Sequence, residues 1–293
     1  MKPLISVLMP VYNAERYLNV ALESVFNQSC ADFELLALDD ASTDASRDIL
    51  QSFSDSDSRL RILVNASNQG VSRTLNRGLK QARGQFIARM DADDICEPFR
   101  FERQINFLQA HTQVCVCGSW ATDIDENGRV IQLRAMPTGA RLNTFWWRPS
   151  PLVHPSVMWS VERQTWLYDE KLRCAQDYDL WLKLGLNGEK LGNIEETLLR
   201  YRVHEASISG RHSSRQMAQT LESFNRQTEL SLSREVFFSL NFWNIDVKPQ
   251  LRARALRKVM ARIGQKYSVL HLRDEIRYVQ RWSKRRLQLA SRS

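Results

Sequence analysis

The sequence predicts an α/β fold: a mixed, mostly parallel sheet flanked by helices, followed by a helical, basic C-terminal extension. Three observations carry that expectation. Short apolar runs alternate with segments of helical period through the first third of the chain, the rhythm of a parallel sheet with helices on both faces. Polar and acidic clusters follow the apolar runs where the chain would leave the sheet, which is where open α/β sheets bind ligands. The charge is also unevenly spread. Fourteen of the 41 Lys and Arg, but only two of the 33 Asp and Glu, lie from Lys248 onward, so a segment at +12 follows a body at −4.

Taken in order, Leu4 to Met9 reads as a buried strand closed by Pro10. From Glu15 to Asn27, Leu18, Ala21, Leu22, Val25 and Phe26 recur at helical spacing. Phe33 to Leu38 is a second strand ending in Asp39-Asp40, and Ser42-Thr43-Asp44 offers caps for a helix reaching about Phe53. Leu60 to Val64 is a third strand. A helix from about Val71 to Ala82, closed by Gly84, precedes a fourth strand from Gln85 to Met90. Further on, Cys115 and Cys117 alternate with Val114 and Val116 as in a strand, and Asp177 to Leu184 opens a helix with an acidic first turn. Leu198 to Val203 reads as a strand ending at His204. Beyond about Ser213 the pattern is helical, and Leu256, Val259, Met260, Ile263, Tyr267 and Leu270 form an apolar stripe among Arg and Lys. The division expected is residues 1–212, split near residue 95, and residues 213–293.

Composition narrows the function classes. With 293 residues, 43% hydrophobic and 25% charged, the chain has too much apolar content to be disordered. Its 11 glycines are far too few for a collagen-like repeat. No apolar run approaches the roughly 18 residues that span a bilayer, and Met1 to Pro10 lacks the long apolar core of a secretory signal. A cytoplasmic protein is expected. Five cysteines without regular spacing are not a disulfide framework, and no second Cys or His pair stands at zinc-ligand spacing. They read as buried thiols in a reducing compartment.

Neither GxGxxG nor GxxxxGK[ST] occurs, so a ligand phosphate would be met by a cation held on carboxylates. Asp91 and Asp93, on a turn after a buried strand, suit a hard cation and a ribose hydroxyl, or a solvated loop in which Asp94 caps the next helix. Asp40 suits the imide N–H of a uracil ring or, with Asp39, a strand-to-helix cap. Tyr12 suits a stacked base or plain packing. Asp177 suits a general base, or a first-turn acid favoured by the helix dipole. His204 is a third metal ligand or a structural histidine. Trp146, Trp147 and Trp181 are platforms for a sugar ring or core side chains.

Several strings carry a resemblance: Pro10-Val11-Tyr12-Asn13, Leu38-Asp39-Asp40-Ala41-Ser42-Thr43-Asp44, Asn68-Gln69-Gly70-Val71-Ser72 and Ala88-Arg89-Met90-Asp91-Ala92-Asp93-Asp94. With Gln176-Asp177-Tyr178-Asp179-Leu180-Trp181 and Leu199-Arg200-Tyr201-Arg202-Val203-His204, they stand in an order that resembles the family two glycosyltransferases of the GT-A, Rossmann-like fold, over about residues 4–210. The resemblance implies a nucleotide-diphospho-sugar donor, most often UDP-linked, and Mn²⁺ or Mg²⁺. It implies a nucleotide-binding half over residues 1–95 and an acceptor half over residues 96–212. By position, Pro10, Val11, Tyr12, Asn13, Asp40, Asn68, Asp91, Ala92 and Asp93 would line the nucleotide-sugar site. Asp93, Asp91 and His204 would hold the metal, and Asp177 would be the catalytic base of a single, inverting displacement. Gln176 departs from the Glu common in the family at that position, which leaves what that Glu contributes to the acceptor side open.

The acceptor implied is a saccharide or lipid-linked saccharide, in cell-surface polysaccharide synthesis. The basic tail suits the anionic inner face of a membrane, giving a peripheral location, or else a helical pair packed on the body. Intact Asp91, Asp93 and Asp177 argue against a binding protein that has lost catalysis. A nucleic-acid partner is not expected: Tyr267, Tyr278 and Trp282 stand among the bases of the tail, but no nucleic-acid motif occurs and the acidic body repels phosphate.

Overall fold

The protein is described here from a computed structural model that covers residues 2–204, 213–241 and 249–264. Its chain forms two compact units, Met1–Thr220 and Leu221–Ser293.

The first unit is built on one sheet. Strands β1 (Ile5–Val11), β2 (Phe33–Asp39), β3 (Leu60–Val64) and β4 (Phe86–Arg89) are parallel in the order β3-β2-β1-β4. β1 and β2 are apolar almost without a break because helices cover both faces, so nearly every residue in them is buried. Four more strands extend the sheet: β5 (Ile95–Cys96), β6 (Val114–Ile124), β8 (Met158–Ser160) and β9 (Lys190–Arg202), in the order β4-β8-β6-β9-β5. β8 is antiparallel to both β4 and β6, β9 is parallel to β6, and β5 is antiparallel to β9. Strand β7 (Val130–Arg134) forms a hairpin on β6. The sheet is therefore mixed, as expected.

Helices α1 (Leu18–Phe26), α2 (Ser46–Ser56) and α3 (Val71–Gln81) connect the parallel strands. Two start later than their sequence signals. α1 begins at Leu18 rather than Glu15, because residues 13–15 are bonded to the loop after β2. α2 begins at Ser46, because Ser42 and Thr43 face Asn13, and Ala45 takes the cap position, while Asp44 Oδ1 just outside it accepts the Ser46 N–H at 3.0 Å. α4 (Arg100–Ala110), outside the sequence expectations, carries Phe101, Ile105 and Leu108 at helical spacing on its buried side. α5 (Gly139–Phe145) and α6 (Gln176–Leu186) complete the layer. The strand expected at Leu198–Val203 is the second half of the longer β9. Its first half is masked in the sequence by Asn193, Glu195 and Glu196, of which Asn193 is buried and donates to the carbonyls of Pro137 and Pro151.

α7 (Ser213–Thr228) runs across the division between the units. In the second unit, Phe224 meets Phe237 of α8 (Arg234–Asn241), with ring centroids 4.8 Å apart. α9 (Pro249–Arg262) packs on α8 and buries Leu256, Val259 and Met260. That part of the apolar stripe is core, while Arg254, Arg257 and Lys258 are exposed. Tyr267, Leu270, Tyr278 and Trp282 lie outside the described residues. No described helix is long and apolar enough to cross a membrane. All five cysteines are free thiols, and burial pushes those of Cys115 and Cys117 up to about 12, which keeps them unreactive.

Candidate active site

Parallel pairing sets where the site forms. β1 is in register with β2 at Val11 and Asp39, and with β4 at Leu8 and Arg89. The segments after these strands (10–17, 39–45 and 90–94) therefore leave the sheet along one edge. Two of them are bonded together. Asn13, with φ 49°, donates its N–H to Ser42 Oγ (3.1 Å) and accepts the Thr43 N–H at Oδ1 (2.8 Å). The Ala14 N–H reaches Ser46 Oγ (2.8 Å), the Glu15 N–H reaches Asp44 Oδ2 (3.0 Å), and Glu15 Oε2 accepts the Ala45 N–H (2.8 Å).

Asp40 is buried and holds the loop between β3 and α3. Its Oδ1 accepts from Asn65 Nδ2 (2.7 Å) and the Gln69 N–H (2.8 Å), and its Oδ2 accepts from the Gly70 N–H (2.8 Å). Gly70 has φ 85°, which a side chain would resist. A carboxylate offers about four acceptor positions, so with three filled Asp40 keeps about one for a ligand donor. Asn68 is exposed on the same loop, Tyr12 is 51% exposed, and Pro10 is half-buried. Val11 and Ala92 are core side chains, and the Val11 carbonyl already accepts the Asp40 N–H at 2.9 Å. With both side chains buried, what Val11 and Ala92 present at this edge is backbone.

The turn after β4 gathers three carboxylates. Asp91, Asp93 and Asp94 each present an oxygen within 4.8 Å of the others. Arg89 pairs with Asp91, and His204 Nε2 stands 2.9 Å from Asp93 Oδ2. Asp94 is buried; its Oδ1 accepts the Arg202 N–H at 2.8 Å, while its Oδ2 has no hydrogen-bond partner among the described residues. Burial, then the neighbouring Asp93 and Asp91 charges, push the Asp94 carboxyl well above its usual range. Burial likewise raises Asp91, against the pull of Arg89. An orphaned buried oxygen among like charges fits a hard divalent cation with oxygen ligands, Mn²⁺ or Mg²⁺. Asp94 caps no helix: β5 follows it directly, and the next helix starts only at Arg100. Nothing in its sequence neighbourhood separates it from a cap, because its burial comes from contact with β9.

Asp177 opens α6 after Ala175, whose φ is 58°. Its Oδ1 accepts the Tyr178 N–H at 2.8 Å. Burial raises its pKa and the Arg89 guanidinium opposes the rise, while Asp177 in turn raises Asp91. The base candidate and the carboxylate turn thus share one electrostatic neighbourhood, with Arg89 acting on both. Arg89 is a site residue that the sequence marks only as a charge inside an apolar strand. Beside it, buried His154 meets the Tyr168 hydroxyl at 2.9 Å and packs edge-on to Trp181. Trp146, Trp147 and Trp181 are core residues rather than sugar platforms.

A mixed sheet with carboxylates gathered at the ends of its parallel strands is the arrangement of the GT-A fold. Solved structures agree on the fold: that of S. aureus TarS 1-349 in complex with UDP-GlcNAc superposes with a TM-score of 0.64, at 21% identity, covering 89% of this chain and 81% of that one. The glycosyl transferase family 2 pattern matches residues 6–166, and the chain belongs to that family. Its relatives include an uncharacterized glycosyltransferase, MJ1057, of Methanocaldococcus jannaschii, 35% identical over 208 residues, covering 69% of this chain and 71% of the relative. Another is the O-antigen biosynthesis glycosyltransferase WbnJ of Escherichia coli, 29% identical over 214 residues, covering 70% and 79%.

Proposed function

We propose that this glycosyltransferase moves a sugar, with inversion, from a UDP-linked donor to a hydroxyl of a saccharide or lipid-linked saccharide in polysaccharide synthesis. The observation that carries the reading is the cluster of Asp91, Asp93 and Asp94, their oxygens within 4.8 Å of one another at the edge where the parallel strands end. The UDP-GlcNAc bound to TarS and the O-antigen role in the name of WbnJ support the donor and acceptor classes.

In this reading Tyr12 stacks on the base, and Asp40 accepts the imide N–H at its remaining lone pair. Pro10, Asn13 and Asn68 close the nucleoside pocket, with Val11 and Ala92 adding backbone atoms. Asp91, Asp93, Asp94 and His204 hold Mn²⁺ or Mg²⁺, which when bound neutralises the charge of the departing nucleotide diphosphate. The acceptor oxygen attacks the anomeric carbon from the face opposite the diphosphate. As the new C–O bond forms, the bond to the diphosphate oxygen breaks and Asp177 takes the acceptor proton. Burial makes Asp177 a stronger base than a solvated carboxylate, against the opposing pull of the Tyr178 N–H and the Arg89 charge. The reading puts the protein in the cytoplasm, with Arg254, Arg257 and Lys258 meeting an anionic membrane surface through charge alone.

Thermal unfolding with UDP-, GDP- and dTDP-sugars, each with Mn²⁺ and with EDTA, tests the reading. A rise in midpoint is expected with UDP-sugars in Mn²⁺ and not in EDTA. A rise with another nucleotide class would move the donor assignment, and no rise with any would remove the transferase reading.

A further inference from the structure

Arg202, the last residue of β9, is 5% exposed, and its hydrogen bonds converge on the carboxylate turn. Its main-chain N–H donates to Asp94 Oδ1 (2.8 Å), and its Nε donates to the Asp93 carbonyl (2.8 Å). Its Nη1 reaches the other way, to the carbonyls of Asp125 (3.0 Å) and Glu126 (3.2 Å) in the turn between β6 and β7. The guanidinium also lies over the Tyr17 ring, 4.4 Å from its centroid. That ring packs on His204 at 5.3 Å, and His204 in turn meets Asp93.

A guanidinium is a planar fork, so Nε and Nη1 can serve two backbone segments at once in fixed directions; a lysine ammonium on a flexible stem cannot. Its side-chain bonds here all go to main-chain carbonyls, one on the carboxylate turn and two on the β6–β7 turn. We infer that Arg202 is a positioning residue for the transfer site: it fixes the Asp93-Asp94 turn against the β6–β7 turn and, through Tyr17, holds His204 beside Asp93. The inference rests on the proposal above in one respect, that these carboxylates hold the cation of the donor.

The test uses the full chain with Arg202→Lys and Tyr17→Leu, and with Arg200→Lys as control, since the Arg200 side chain is exposed and pairs with Glu97. Amide hydrogen exchange and Mn²⁺ titration calorimetry are measured on each. In Arg202→Lys, peptides covering residues 91–96 and 125–129 should exchange about tenfold faster, the scale of a lost charged hydrogen bond, with β1 to β3 unchanged. Mn²⁺ affinity should fall about ten- to a hundredfold, as for other groups that orient metal ligands. Tyr17→Leu should show the same pattern more weakly, and it carries the test if Arg202→Lys does not fold. Arg200→Lys should show neither change. Unchanged exchange at residues 91–96, or a uniform increase across the chain with Mn²⁺ affinity intact, would reduce Arg202 to a general support of the fold and overturn the inference. A wild-type chain that binds no Mn²⁺ would sink the cation reading instead, and the exchange result would still decide the role of Arg202.

Discussion

A carboxylate partly withdrawn from water and within the field of a guanidinium answers to two opposed energies, and Asp177 shows both. Burial raises its pKa, so at neutral pH its ionised form costs the fold stability, while the same burial strengthens it as a base. Asp177→Asn keeps an acceptor for the Tyr178 N–H and removes the charge. Transfer should therefore fall about 10²- to 10⁴-fold while the melting temperature holds or rises. A lower melting temperature alongside the lost activity would make Asp177 a structural acid. His154 gives the opposite pH signature. Burial first, and the Arg89 charge second, hold it well below the usual 6.5, so it is neutral in the fold. As pH drops below about 6.5 the unfolded chain takes up a proton that the folded chain refuses, and stability falls from there towards the folded value. The urea midpoint should therefore be lower at about pH 5 than at about pH 7.5, and His154→Gln should shrink that difference. If the difference persists unchanged, the acid sensitivity belongs to other groups. Asp91, Asp93, Asp177 and His204 could be picked from the sequence because residue type and motif order mark them. Asp94 and Arg89 could not be marked as candidates, since what distinguishes them is burial and partners that only the folded chain brings near.

At the scale of elements, helix and strand positions were readable wherever one periodicity ruled. β1 to β4 are uniform apolar runs, and α3 runs from Val71 to Gln81, one residue short of the sequence reading. Boundaries failed where side chains bond to a neighbouring loop, as at the starts of α1 and α2, and where polar residues are buried, as at Asn193 in β9. Close approach of elements leaves a further mark at Gly185 in α6. A Cβ there would stand 2.2 Å from Trp146 Cε3, inside contact distance of a ring that is itself buried. Alanine is the better helix former by about 1 kcal/mol, yet overpacking costs about 1–3 kcal/mol. Gly185→Ala should therefore destabilise in equilibrium urea unfolding. A gain in stability would mean that α6 or Trp146 shifts at little cost.

For the molecule as a whole, every residue assigned to the site lies between Pro10 and His204, inside the unit Met1–Thr220. A chain stopped after Thr228 should keep the Mn²⁺-dependent thermal response to UDP-sugar. Losing that response while still folding would mean that the second unit helps to build the site. The parallel half of the sheet was legible because its connections are local and repeat. The antiparallel insertion of β8 between β4 and β6 was not, since Met158 to Ser160 carry no pattern of their own and find their place only by pairing with distant strands. The mutual bonding of residues 13–15 with residues 42–46 sets a rule for anyone building chimeras in this family. Each of the two segments supplies the hydrogen-bond partners of the other, so exchanging one alone with a relative would strand main-chain donors at the rim of the base pocket. Donor preference should therefore transfer only when both segments are exchanged together, as one cassette.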